Sequence, residues 1–174
     1  MADPVGRRRF MVRLAAAAGV AAPVMAFLEG RVSALPRGEE TDLAVLYASL
    51  AIEHQAIALY DVGLKRKLFP AGLRSYAVEF RGDHLGHRDT QIAIAEERGG
   101  RPPEALAHYE LGPFGDGDQA IARALQIEVA AQRAYTALIS QIRTKDYLLS
   151  AAFILVDEIR HMTVWRRVLG LGIY

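Results

Sequence analysis

A chain of 174 residues with 52% hydrophobic content is long enough for one domain with a buried core, and a formal net charge of +1 supplies no basic footprint for nucleic acid. The absence of cysteine excludes disulfide scaffolds, thiolate metal sites and cysteine nucleophiles together. Abundant Ala, Leu, Arg and Glu favour helix.

The first segment differs in kind from the rest. MADPVGRRRFMVRL is basic, residues 14–28 are apolar and Ala-rich, and small residues follow at Val32, Ser33 and Ala34. This is the order of an export signal. Arg7-Arg8-Arg9-Phe10-Met11 fits the twin-arginine pattern, so residues 1–34 are expected to direct the protein to the periplasm. The apolar run of 15 residues falls short of the ~20 that span a bilayer. A retained anchor is the alternative, and membrane contact would then be confined to this segment. Residues 35–174 are expected to form one domain.

Four helical segments follow, without any strand signal. The first covers roughly residues 40–66, with apolar positions at Leu43, Leu46, Leu50, Ile57, Tyr60 and Leu64. The second starts near Pro70 and ends before Gly99-Gly100. The third begins near Asp118, a suitable cap, and runs to about Arg143. The fourth spans roughly residues 146–170. Short links within each pair imply antiparallel neighbours, whereas GGRPPEALAHYELGPFGDG between helices two and three is long enough to run the length of a bundle. The expectation is all-α: an antiparallel four-helix bundle of two hairpins joined by a long crossover.

Each helix interrupts its apolar stripe near its midpoint with ionisable residues. Glu53 does so in the first, and His84 and His87 between Phe80 and Gln91 in the second. Glu128 does so in the third, and Glu158 and His161 between Ile154 and Trp165 in the fourth. One buried histidine is ordinarily a satisfied core residue. Six ionisable groups at one level are different, because three unpaired buried carboxylates would each cost several kcal/mol, ~3–5 per broken pair. A divalent cation compensates them with better geometry than a purely polar network. The chain also repeats itself: DHLGH (83–87) returns as DEIRH (157–161), and Glu53…Tyr60 returns as Glu128…Tyr135. Two copies of one hairpin would bring one phrase from each half to a shared centre.

This pattern resembles the ferritin-like superfamily of carboxylate di-iron bundles, which includes rubrerythrins and ferritins, and more particularly its exported bacterial members. Their hallmark is a Glu from each of two helices and a Glu-x-x-His from each of the others. Glu53, Glu128 and Glu158-x-x-His161 match it, while His84-x-x-His87 departs from it. The resemblance implies a centre of one or two iron ions, with manganese or zinc also suited to three His and three Glu. The family's second Glu commonly bridges two ions. An imidazole offers one lone pair in that role, so the expectation is that Glu158 bridges alone or that one ion binds. The resemblance further implies that Asp157 orients His87 and Asp83 orients His161. Tyr60 and Tyr135 are either partners of the site carboxylates or plain core residues. His54 and His108 lie off the stripe and are expected at the surface.

No separate catalytic acid or base stands out. The implied function is an oxidoreductase or ferroxidase-like activity on oxygen or peroxide. The alternative is a non-catalytic metal-binding protein, or a structural subunit of a periplasmic or membrane complex. Leu148, Leu155, Ile159 and Met162 leave helix four apolar on more than one side, so a homodimer or larger assembly is expected. A ferritin cage is not, for want of a fifth helix.

Overall fold

The structure, a computed structural model, describes residues 39–112 and 114–172. The expected export signal lies outside the described residues. Helices α1 (Glu39–Lys65), α2 (Arg74–Glu97), α3 (Gly117–Ile139) and α4 (Lys145–Val168) make up the bundle, with a 3-10 turn at Ala71–Leu73 before α2. The hairpins α1–α2 and α3–α4 pack most extensively, α1 also lies along α3, and α2 meets α4 more sparsely. Residues 98–116 cross from one hairpin to the other. α1 has the length and apolarity of a membrane span, but 78% of its most apolar stretch is buried within the bundle, as in a core helix.

Helix ends differ from expectation where the caps do. The side chain of Asp116, not Asp118, accepts the Gln119 amide at 2.8 Å, so α3 starts at Gly117. It stops at Ile139 because residues 140–144 turn to meet α1. There the buried carboxylate of Asp42 accepts the amides of Arg143 at 3.0 Å and Thr144 at 2.8 Å, and the Thr144 hydroxyl at 2.7 Å. Thr144 occupies the cap position of α4 without a cap bond from its own side chain, so a residue on another helix supplies that function. Asp42→Ala is expected to cost ~1–2 kcal/mol, read as a lower denaturant midpoint. An unchanged midpoint would show that solvent replaces the cap. Proline 70 precedes the 3-10 turn, which moves the start of α2 to Arg74. α2 ends at the Gly99-Gly100 pair, where the Gly100 amide reaches Ala95 O at 2.9 Å and Gly99 takes a φ of 69°.

The apolar core is divided in two. One cluster gathers Leu46, Tyr135, Leu138, Tyr147 and Ile154, and the other gathers Leu59, Tyr60, Phe69, Phe80, Ile127 and Trp165. Between them lies a buried polar layer. Tyr76 and Val168 are exposed at 41% and 36%, because both lie near helix ends where the bundle no longer covers them. On α4, Leu148 and Ile159 are exposed as expected, whereas Leu155 packs partly against the core. Leu149, Phe153 and Val156 prove more exposed still.

Candidate metal centre

All six stripe-breaking residues meet in the polar layer. Glu53, His84, Glu128, Glu158 and His161 are each 0% exposed, and His87 is 8% exposed. Two four-residue groups place a ligand atom from each member within 4.8 Å of the others: Glu53, His84, His87 and Glu158, and then His84, Glu128, Glu158 and His161. His84 Nδ1 lies 2.8 Å from Glu53 Oε2 and 3.5 Å from Glu158 Oε1, while its Nε2 lies 3.4 Å from Glu128 Oε1. His87 Nδ1 is 3.5 Å from both Glu53 and Glu158, and His161 Nδ1 is 3.4 Å from Glu128 Oε2.

Five buried polar atoms here lack any hydrogen-bond partner: His87 Nδ1, His161 Nδ1, Glu128 Oε2 and both oxygens of Glu158. Buried polar atoms are rarely left so, and these converge from three helices on one centre. Their chemistry is that of imidazole nitrogen and carboxylate oxygen, which fits a divalent transition metal. Zinc, iron and manganese all accept such a set.

The electrostatics of the centre are set by burial and by the imidazoles that face its carboxylates. Burial alone would raise the Glu53 carboxyl, but the His84 and His87 imidazoles that face it bring it down to about 2. The same balance, with His84 and His161, holds Glu128 low. Burial raises Glu158 well above the usual carboxylate range, and the charges of Glu128 and Glu53 add to the rise despite His84 and His87. Burial opposes the charged imidazole of His87, yet Glu158 and Glu53 hold it up to about 10. His84 is likewise raised, its burial outweighed chiefly by Glu158 and Glu128.

Groups around the centre fix the candidate ligands. Asp157 Oδ2 stands 3.3 Å from His87 Nε2, and Asp83 Oδ2 stands 3.0 Å from His161 Nε2, so each imidazole presents Nδ1 inward. Tyr60 on α1 donates to Glu128 on α3, and Tyr135 on α3 donates to Glu53 on α1. The tyrosines therefore partner the opposite half's carboxylate. Each hydroxyl accepts a bond in turn, Tyr60 from Trp165 Nε1 at 2.8 Å and Tyr135 from Gln91 Nε2 at 2.5 Å. Ser49 continues this network to Gln91 at 3.0 Å and to Tyr147 at 3.0 Å.

Arg160, Gln91 and Ser49 are contributors the sequence did not single out as such. Arg160 reaches Glu79 and Asp83 at 2.5 Å each and Asp157 at 3.5 Å, tying both orienting aspartates to one guanidinium. Its one sequence signal was its place inside the repeated phrase. His54 is a correction: it is buried rather than at the surface, with Nε2 3.3 Å from Pro103 O, because the crossover folds over α1 there. His108 is exposed, as expected.

One side of the centre approaches solvent. His87 is among the residues lining a groove of about 390 Å³ between α2 and α4, with Thr90, Ser150, Phe153 and Asp157.

Four antiparallel helices in two hairpins, joined by one crossover and centred on a buried Glu/His layer, define a ferritin-like bundle. The chain belongs to the ferritin-like domain family, whose model matches residues 41–171. It is similar in structure to a conserved hypothetical protein, Rv2844, from Mycobacterium tuberculosis, with 28% identity and a TM-score of 0.71. That similarity covers 76% of this chain and 99% of the other. No curated protein matches the chain.

Proposed function

We propose that this protein is an exported, metal-dependent oxidoreductase or ferroxidase-like protein that uses iron with oxygen or peroxide. The observation that carries the reading is the set of five partnerless buried donors, joined at His87 to a solvent groove. A purely structural ion needs no approach from solvent, whereas turnover of a small oxidant does. When bound, the metal would supply one-electron chemistry at a site screened from bulk water. The chain's residues do the rest. Glu53, His84, His87, Glu128, Glu158 and His161 would hold the metal. Asp83 and Asp157 orient the imidazoles, and Tyr60 and Tyr135 hold Glu128 and Glu53 in place. The apolar walls of Phe80, stacked on His161 at 4.0 Å, and of the two core clusters exclude water.

A non-catalytic role is the second reading. It is favoured by His84, whose protonated ring lies 2.8 Å from Glu53 and 3.4 Å from Glu128 and can offset one of their two charges without any metal. Export through the basic N-terminal segment belongs to the same proposal. So does a homodimer or larger assembly, supported by the exposed Leu149, Phe153, Val156 and Ile159 of α4.

Elemental analysis of protein exported by its native host, followed by oxygen and peroxide turnover, separates the readings. Iron or manganese that is lost in Glu128→Ala and kept in His108→Ala, together with turnover, supports the redox reading. Bound metal without turnover leaves the binding role. Absence of metal from the wild type would overturn both metal-based readings.

A further inference from the structure

Resting on the reading of the polar layer as a metal centre, we propose that His84 bridges two metal ions, one on each ring nitrogen. The two candidate ligand groups share only His84 and Glu158. The remaining four residues divide evenly, Glu53 with His87 on one side and Glu128 with His161 on the other. His84 is placed between them. Nδ1 faces Glu53 at 2.8 Å, and Nε2 faces Glu128 at 3.4 Å. The lone pairs of the two nitrogens diverge in the ring plane, so one ion cannot take both. Two ions on opposite sides can.

The expectation that an imidazole cannot replace a bridging carboxylate holds for one nitrogen. It does not hold for a ring whose two nitrogens face different ligand groups. Each metal–nitrogen bond forms as the corresponding N–H bond breaks, and both protons leave to solvent. No oxidant or reductant is consumed. The product is an imidazolate carrying one negative charge. With the carboxylates of Glu53, Glu128 and Glu158 it supplies four negative charges against two divalent cations. The exchange of Glu for His in the first DxxxH phrase thereby preserves the charge balance of a four-carboxylate centre. The ring is also held against rotation: it is 0% exposed and lies edge-on to His161 and His87, with centroids 5.3 Å and 5.8 Å away.

The bridge predicts a spacing. Two metal–nitrogen bonds of ~2.1 Å on opposite sides of one ring separate the ions by ~6 Å, against ~3.5–4 Å in the usual two-metal site. The full chain is loaded with Cu(II) as the probe, crystallised for anomalous diffraction and examined by electron paramagnetic resonance. The expected result is two copper ions per chain about 6 Å apart, with the isolated-ion signal suppressed by exchange through the ring. His84→Gln should restore an uncoupled signal, and its circular dichroism spectrum reports whether the bundle is intact. Two ions at the shorter spacing, two uncoupled ions or one ion per chain would overturn the bridge while leaving a metal centre. Failure to retain copper in the polar layer would overturn the underlying metal reading as well.

Discussion

Raising the pH from about 6 to about 8 is expected to tighten metal binding by at least two orders of magnitude while weakening the metal-free bundle. The reason is the set of protons that the ligand groups must give up when an ion binds. His87 is held up to about 10 against an ordinary 6.5, because Glu158 and Glu53 outweigh its burial. His84 is raised too, its burial outweighed by Glu158 and Glu128, and burial together with the charges of Glu128 and Glu53 raises the Glu158 carboxyl. An ion must displace these protons to reach the lone pairs. Each proton released makes affinity rise about tenfold per pH unit. Competition against a chelator across this range measures the slope, and a flat profile would mean that these groups are not the ligands.

Stability of the empty bundle runs the other way. The contribution of His87 is fully present below 6.5 and is lost as the pH rises toward about 10. The native state retains a proton there that the unfolded state has released, so stability falls by ~1.4 kcal/mol per pH unit for each such group. Glu53 acts in the opposite sense. Its contribution is present above 4.5 and is lost as the pH falls toward about 2. These two groups by themselves favour the folded state most between about 4.5 and 6.5, and the raised Glu158 carboxyl adds to the fall as the pH rises. Denaturant midpoints measured with chelator present test this, and a midpoint that climbs from pH 7 to pH 9 would contradict it.

Trp165→Ala is expected to give the largest loss of stability of any single truncation considered, ~3–5 kcal/mol. Trp165 is 0% exposed, lies 5.7 Å from Phe69 in a stacked arrangement and meets Phe80 edge-on at 5.5 Å. Its removal leaves a cavity among rigid rings that cannot collapse to fill it. It also takes away the indole N–H bonded to Tyr60, the residue that holds Glu128. Trp165→Phe should recover most of the packing but not that bond, leaving a loss of ~1–2 kcal/mol. Equilibrium denaturation of the two variants measures both parts. Equal losses would assign the whole effect to the hydrogen bond.

How much was legible in the sequence varies by residue for a physical reason. Glu53, His84, His87, Glu128, Glu158 and His161 stood out because helical periodicity is a local property and ionisable groups seldom fall on a buried stripe. The repeated phrases placed those groups in matching hairpins. The pairings of Asp157 with His87 and Asp83 with His161 came through resemblance. Periodicity says which face a residue occupies but not which residue it meets. Asp42 is the clearest contrast: on α1 it reads as one more polar residue, and only the packed bundle brings it under the amides of residues 143 and 144.

The sequence by itself determined the helices, the two-hairpin bundle and the level of the polar layer, since each follows from the spacing of apolar and charged residues along the chain. Only the tertiary structure decided that Tyr60 and Tyr135 serve the opposite half, that the crossover buries His54, that a groove opens at His87, and which way each nitrogen of His84 faces. Those features depend on the relative placement of side chains distant in sequence. They are fixed when helices pack, not when they form.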